Sequence, residues 1–358
     1  MQCKPFVKVN ACHCPTGFRR IRGFHPPRRF ALTLSKRSPV SSSRFPVAMI
    51  PIVESILPIF LVVLLGVALK RARFLDHSVW PGLETLGYYV FFPMLLFLTL
   101  ANADFSDLRL GVVSLVAFLA IMIMSVLLIA LYPLARARGM ADSRYTSLFQ
   151  TSSRWNAFIA LAIAEKLYGA TGLAIVALVM AVIILPLNLI NVSVMIWYGT
   201  GARSVSTLAR RIVGNPMIIG CLAGLIVNAL PFGIYPPLEQ AMDLIARAAL
   251  GLGLLMVGAG LKLTDALRPG PAILASTVLK LIVFPIIMVG LAVAFGLTGV
   301  TLMTLVLCAA VPTALNGYVL ARQMGGDTGL YAASSTVQTA ASFITIPAAM
   351  WLAGTYFV

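Results

Sequence analysis

Charge is what this chain has least of. Only 11% of its 358 residues are Asp, Glu, Lys or Arg, and 60% are hydrophobic. Soluble domains carry about 25% charged residues, so a water-soluble fold is excluded and the chain reads as an all-α polytopic membrane protein. Acid is scarcer still, with 11 Asp and Glu against 27 Lys and Arg. Paired membrane acids and a hydrolytic triad are both lacking, and His77 is a lone loop residue, so an enzyme is not expected. Of five cysteines, Cys3, Cys12 and Cys14 lie near the N-terminus and Cys221 and Cys308 in apolar segments. Cys12-His13-Cys14 has too few ligands and the wrong spacing for structural zinc, and no disulfide framework is visible. The glycines of LGLGLLMVGAG fail the dinucleotide spacing and no Walker sequence is present. Those glycines, like Gly220-Cys-Leu-Ala-Gly224, suit close helix approach instead. No metal and no cofactor is expected.

What is there is unevenly placed. The first 49 residues hold ten Lys and Arg and no acid, which is +10 of the formal +16. The high isoelectric point is therefore no argument for nucleic acid. Residues 1–48 read as a disordered basic extension; the same composition fits an organelle transit peptide, and it has no apolar run for a signal peptide. From Ile50 onward, apolar runs of about 20 residues, enough to cross the hydrocarbon, alternate with short polar loops. The spans fall near 50–69, 82–101, 110–133, 146–167, 172–197, 210–230, 240–261, 271–296, 300–322 and 328–356.

Loop charge orients them. After the odd-numbered spans come Lys70, Arg71 and Arg73; Arg136, Arg138 and Arg144; Arg203, Arg210 and Arg211; Lys262 and Arg268; and Arg322. The other side offers Arg109, Lys166 and Arg247. The positive-inside rule puts the first set in the cytoplasm and both ends of the ten-span core in the periplasm. The same rule disfavours exporting the basic extension, so residues 1–48 read as a removable segment. Asn316 lies 160 residues after Asn156, and Pro347 lies 161 after Pro186. Five spans per half is odd, so the halves, 49–200 and 201–358, have opposite topology. Such inverted repeats characterise secondary transporters, whose sites sit where interrupted helices meet at mid-membrane.

The ninth span, LVLCAAVPTALNGYVLAR, carries that interruption: Pro312, with Thr313 beside it, then Asn316 and Gly317. A proline removes a backbone hydrogen bond, and in a bilayer such a break survives only in protein or against a wet cavity. The fourth span is polar at Ser152, Ser153, Arg154 and Asn156. An arginine fork suits a carboxylate; snorkelling to the cytoplasmic surface is the alternative. Lys280 lies too deep in the eighth span to snorkel. It serves a bound anion, a carboxylate or a titration, or it bonds carbonyls freed near Pro312. Glu54 and Glu84 read as interfacial. Asn188, Asn191, Ser334, Ser335, Thr336, Gln338 and Thr339 form a second polar tier of helix–helix hydrogen bonds.

PTALNGYVLARQMGGD, NPMIIGCLAGL, FFPMLLF and the five-plus-five layout resemble the auxin efflux carrier family, in particular its compact bacterial malonate or malate transporters. The resemblance covers Ile50 to the C-terminus. It implies fourth and ninth helices crossing as interrupted helices, a scaffold half beside an elevator-like moving half, and homodimers formed through the scaffold. It maps the crossover asparagines onto Asn156 and Asn316 and the proline onto Pro312. The chain departs from it in the fourth span, where Ser152 stands 160 residues before Pro312. It also lacks the long central loop of the plant carriers, and auxin as substrate has no support.

The expectation is a transporter of a small organic anion, a malonate-like mono- or dicarboxylate, in the inner membrane among lipid. The site residues are Ser153, Arg154, Asn156, Lys280, Pro312, Thr313 and Asn316, and the coupling ion is H+ or Na+. An ion-coupled antiporter or bile-acid-type symporter, and a non-transporting membrane sensor, stay open.

Overall fold

Hydrocarbon offers a backbone no hydrogen-bond partner but its own, so apolar runs of this length become helices. The computed structural model describes residues 49–72, 76, 78–104, 109–198, 216–231, 233–261 and 269–357. All regular structure among them is helical. The basic extension with Cys12-His13-Cys14, His77, the loop cations Arg73, Arg203, Arg210, Arg211, Lys262 and Arg268, and the boundary between residues 200 and 201 lie outside the described residues.

In chain order come α1 (Met49–Arg71), α2 (Val79–Leu86), α3 (Phe92–Ala101), α4 (Leu110–Ala137), α5 (Asp142–Ser153), α6 (Ala157–Tyr198) and α7 (Pro216–Asn228). There follow α8 (Pro236–Gly260), α9 (Pro271–Val278), α10 (Phe284–Ala294), α11 (Gly299–Ala310), α12 (Gly317–Met324) and α13 (Thr328–Tyr356). Wider π turns, Gly87–Phe91 and Leu279–Val283, join α2 to α3 and α9 to α10. Pro93 and Pro285 each follow such a turn. A proline has no N–H to return to the preceding turn and its ring crowds the carbonyl there; the widened ladder relieves both.

Seven helical stretches among the described residues are long and apolar enough to cross a bilayer: α1, α2–α3, α4, α5–α6, α8, α9–α10 and α13. α7 and α11 are shorter apolar helices. As one rod the 42 residues of α6 run about 63 Å, twice the hydrocarbon thickness. Gly169, at φ 59° and ψ −144°, divides the helix. The protein is thus multi-pass, and the 57-residue α5–α6 stretch is divided between Ser153 and Ala157 and again at Gly169.

Apolar side chains gain little from each other in lipid, so close approach decides which helices pair. α1 lies along α8, where a Cβ on Gly66 would run into the Leu255 backbone and one on Gly258 into the Val63 carbonyl. α3 lies along α7. There a Cβ on Gly220 would stand 2.6 Å from the Pro93 carbonyl oxygen, and one on Gly224 2.5 Å from that of Phe97. Both glycine faces read from the sequence are helix contacts. The remaining helices pack mainly on one another, α11 against α6 and α10, and α9 against α5 and α13. The two groups meet along α6 and α13.

Two helices stop inside the protein. α11 ends at Ala310 and α12 starts at Gly317, so the interruption expected at Pro312 is present. The fourth span is interrupted as well, without a proline: α5 ends at Ser153 and α6 starts at Ala157. Arg154 (φ −74°, ψ 158°) and Val311 (φ −67°, ψ 150°) leave their helices in the same extended conformation. Each following helix starts directly after an asparagine, Asn156 or Asn316.

Candidate functional site

A chain broken inside a bilayer must find partners for the backbone groups its helices no longer serve. The two breaks supply them to each other. The Asn156 N–H donates to the Pro312 carbonyl at 2.7 Å, and Asn156 Oδ1 accepts from the Ile159 N–H at 3.3 Å, capping α6. Gln338 on α13 serves both breaks. Its Oε1 accepts from the Thr313 N–H at 2.9 Å, while Nε2 donates to the carbonyls of Thr151 at 3.1 Å and Ser276 at 3.3 Å. The Lys280 ammonium donates to the Ala309 carbonyl at 2.8 Å and lies 4.4 Å from the centre of the Phe284 ring. Carbonyls at a helix C-terminus carry partial negative charge, which favours a cation; Lys280 serves the end of α11 in this way.

Next to the breaks lies a cavity of about 450 Å³. Arg154, Asn156, Asn188 and Asn316 bring polar groups to its wall, with Trp80, Trp155 and Tyr318 among the aromatic ones. Phe92 and Phe158, also on the wall, stack at 4.0 Å between ring centres. Arg154 is only 6% exposed. Its Nε donates to Gln150 Oε1 and its Nη2 to Asn188 Oδ1, each at 3.2 Å. Both partners are neutral amides, which orient the fork without neutralising it and leave its other N–H donors for a ligand. The ion pairs among the described residues, Arg136–Asp142 at 2.7 Å, Arg144–Asp327 at 3.5 Å and Arg247–Asp243 at 2.6 Å, lie elsewhere. Close fit holds the guanidinium in place: a Cβ on Gly317 would lie 2.8 Å from Arg154 Cδ and would overlap the Tyr331 hydroxyl. That hydroxyl donates to the Ala314 carbonyl at 2.5 Å.

The structure brings Arg154, Asn156 and Asn316 together on one cavity wall. Pro312 and Thr313 act through their backbone at the crossing. Ser153 is buried and donates to Asn191 Oδ1 at 3.2 Å, away from the wall. Lys280 is fully buried at the end of α11 and does not line the cavity; of the roles open to it in the sequence, the bond to a freed carbonyl is the one observed. Glu84, read as interfacial, is exposed yet lines the cavity together with Lys70. Asn188 and Gln338 were placed only in a second polar tier. Their signal was an amide inside an apolar helix, which does not by itself say what it bonds.

A cavity beside two interrupted helices in a multi-pass membrane protein is the arrangement in which secondary transporters hold their sites. Residues 201–352 match the family model described as membrane transport protein. A Rhizobium meliloti (strain 1021) protein provisionally named a malonate transporter is 30% identical over 146 residues, which are 40% of this chain and 46% of that relative. The uncharacterized transporter YfdV of Escherichia coli (strain K12) is 25% identical over 313 residues, covering 84% of this chain and 96% of the relative. The family and both relatives are transporters, not enzymes.

Proposed function

We propose that this protein is a secondary active transporter carrying a small organic anion, a malonate-like mono- or dicarboxylate, across the inner membrane by alternating access. The observation that carries this reading is Arg154, a buried guanidinium on the cavity wall with no carboxylate beside it among the described residues. A charge inside a membrane protein is costly unless paired, and a planar fork pairs best with a carboxylate. The N-termini of α6 and α12 begin at the same wall and add partial positive charge. The malonate named for the Rhizobium meliloti relative fits this chemistry.

In this reading the chain has ten spans in two inverted repeats of five. The fourth is α5 with the first arm of α6, and the ninth is α11 with α12. The matching exit geometry of Arg154 and Val311 supports the correspondence. The group of α1, α2–α3, α7 and α8 acts as scaffold, and the other helices move past it like an elevator. A proton or sodium gradient drives accumulation, and the ends of the core face the periplasm.

The test is uptake of a panel of labelled carboxylates by reconstituted vesicles under imposed proton or sodium gradients. Saturable accumulation of one carboxylate is expected. No accumulation under any gradient would sink the proposal.

A further inference from the structure

The charge around the cavity limits the charge of its occupant. Among the described wall residues the formally charged ones are Lys70, Glu84 and Arg154. Glu84 is exposed and Lys70 half-buried, its ammonium 5.4 Å from the centre of the Trp80 ring. These two are opposite in sign, both reach solvent, and they cancel. Arg154 is left, buried and, among the described residues, held by the amides of Gln150 and Asn188. Among the described residues, the other titratable side chains on the wall or packed behind Arg154 are the phenols of Tyr88, Tyr318 and Tyr331. Lys280 is directed to the Ala309 carbonyl and adds nothing to the wall.

One guanidinium meets one carboxylate. A second carboxylate in the same pocket would meet only the partial positive charge at the N-termini of α6 and α12, and a buried charge without a full cation beside it costs more than it returns. Resting on the reading of the cavity as a carboxylate site, we propose that it takes ligands bearing a single negative charge: a monocarboxylate anion, or a dicarboxylate that carries one proton. In the second case the carboxylate pairs with Arg154. The protonated carboxyl donates to a neutral amide such as Asn316, whose side chain makes no capping bond. The proton then crosses on the ligand and leaves with it, and the protein needs no membrane acid to carry it.

The test uses the full chain in lipid vesicles, with malonate and its monomethyl ester, which has only one ionisable carboxyl. Trp80 and Trp155 on the wall make intrinsic fluorescence the readout. Between about pH 5 and 8, ordinary carboxylates and arginines keep their charge, so the ester is expected to bind with one affinity throughout. Apparent affinity for malonate is expected to fall by about tenfold per pH unit once its second carboxyl ionises. Arg154→Lys, which loses the planar fork, is expected to bind both ligands more weakly. Malonate affinity that stays level or rises with pH overturns the inference, because the dianion is then the ligand. Undiminished binding of both ligands by Arg154→Lys overturns it too. Saturable binding of neither compound removes the carboxylate reading itself, and the inference with it.

Discussion

The Asn156 N–H meets the Pro312 carbonyl at 2.7 Å, so each helix break completes the hydrogen bonding of the other. A buried backbone group left unmade costs about 1–3 kcal/mol and lipid supplies no substitute, so losing either break is expected to destabilise the other. The crossing is a mutual structure held by backbone atoms and by the Gln338 amide. It leaves the Arg154 and Asn316 side chains free to face the cavity.

The two crossover asparagines are expected to behave differently when truncated. Asn156 caps α6 through the Ile159 N–H, so Asn156→Ala should lose about 1 kcal/mol of stability. Asn316 makes no capping bond, so Asn316→Ala should leave thermal stability near wild type. Both should lose carboxylate uptake. Thermal unfolding in detergent beside vesicle uptake checks this, and equal destabilisation by the two would contradict it.

Arg154→Gln should weaken carboxylate binding strongly. Removing one partner of a buried hydrogen-bonded charge pair costs about 2–5 kcal/mol, or roughly thirtyfold or more in Kd. Arg154→Lys should recover part of the loss, since the charge returns without the planar fork. Titration with labelled ligand measures both, and equal affinity of Gln and wild type would remove Arg154 from the site.

Lys280 and Gln338 should act on stability first. Lys280→Met leaves the Ala309 carbonyl without its ammonium. Gln338→Leu strands the Thr313 N–H and the Thr151 carbonyl together. With about 1–3 kcal/mol for each buried group left unmade, Gln338→Leu should be the more damaging of the two. Midpoints of thermal unfolding in detergent rank them, and a ligand affinity that falls for Lys280→Met without loss of stability would put Lys280 in the site.

Gly224 and Gly290 test the helix contacts. A side chain at Gly224 meets the Phe97 carbonyl, so Gly224→Val should cost about 1–3 kcal/mol by forcing α3 and α7 apart. Nothing lies within 4 Å of a Cβ on Gly290 in α10, and Gly290→Ala should be neutral or stabilise by up to about 1 kcal/mol. The same unfolding assay reads both.

Much of the fold was legible because apolar runs of bilayer length leave the backbone one choice. Pro312 announced its interruption because it lacks an N–H, and Arg154 announced itself as a charge where charge is expensive. The fourth-span break carried no such mark: Ser152 stands at the proline's offset, and the break exists because Pro312 and Gln338, far along the chain, take up what the helix releases. The role of Lys280 was narrowed by its depth, but that the Ala309 carbonyl accepts its hydrogen bond depends on where α11 ends.

By itself the sequence determined that this is a multi-pass helical membrane protein with an interrupted ninth span and a few buried polar groups. Those properties follow from hydrophobicity, proline chemistry and the cost of charge in lipid, all of which act within a segment. Only the tertiary structure decided which polar groups share the cavity, which hold the crossing together, and that Arg154 lies without a carboxylate beside it among the described residues. These depend on distances between residues remote in sequence, and residue types alone do not contain those distances.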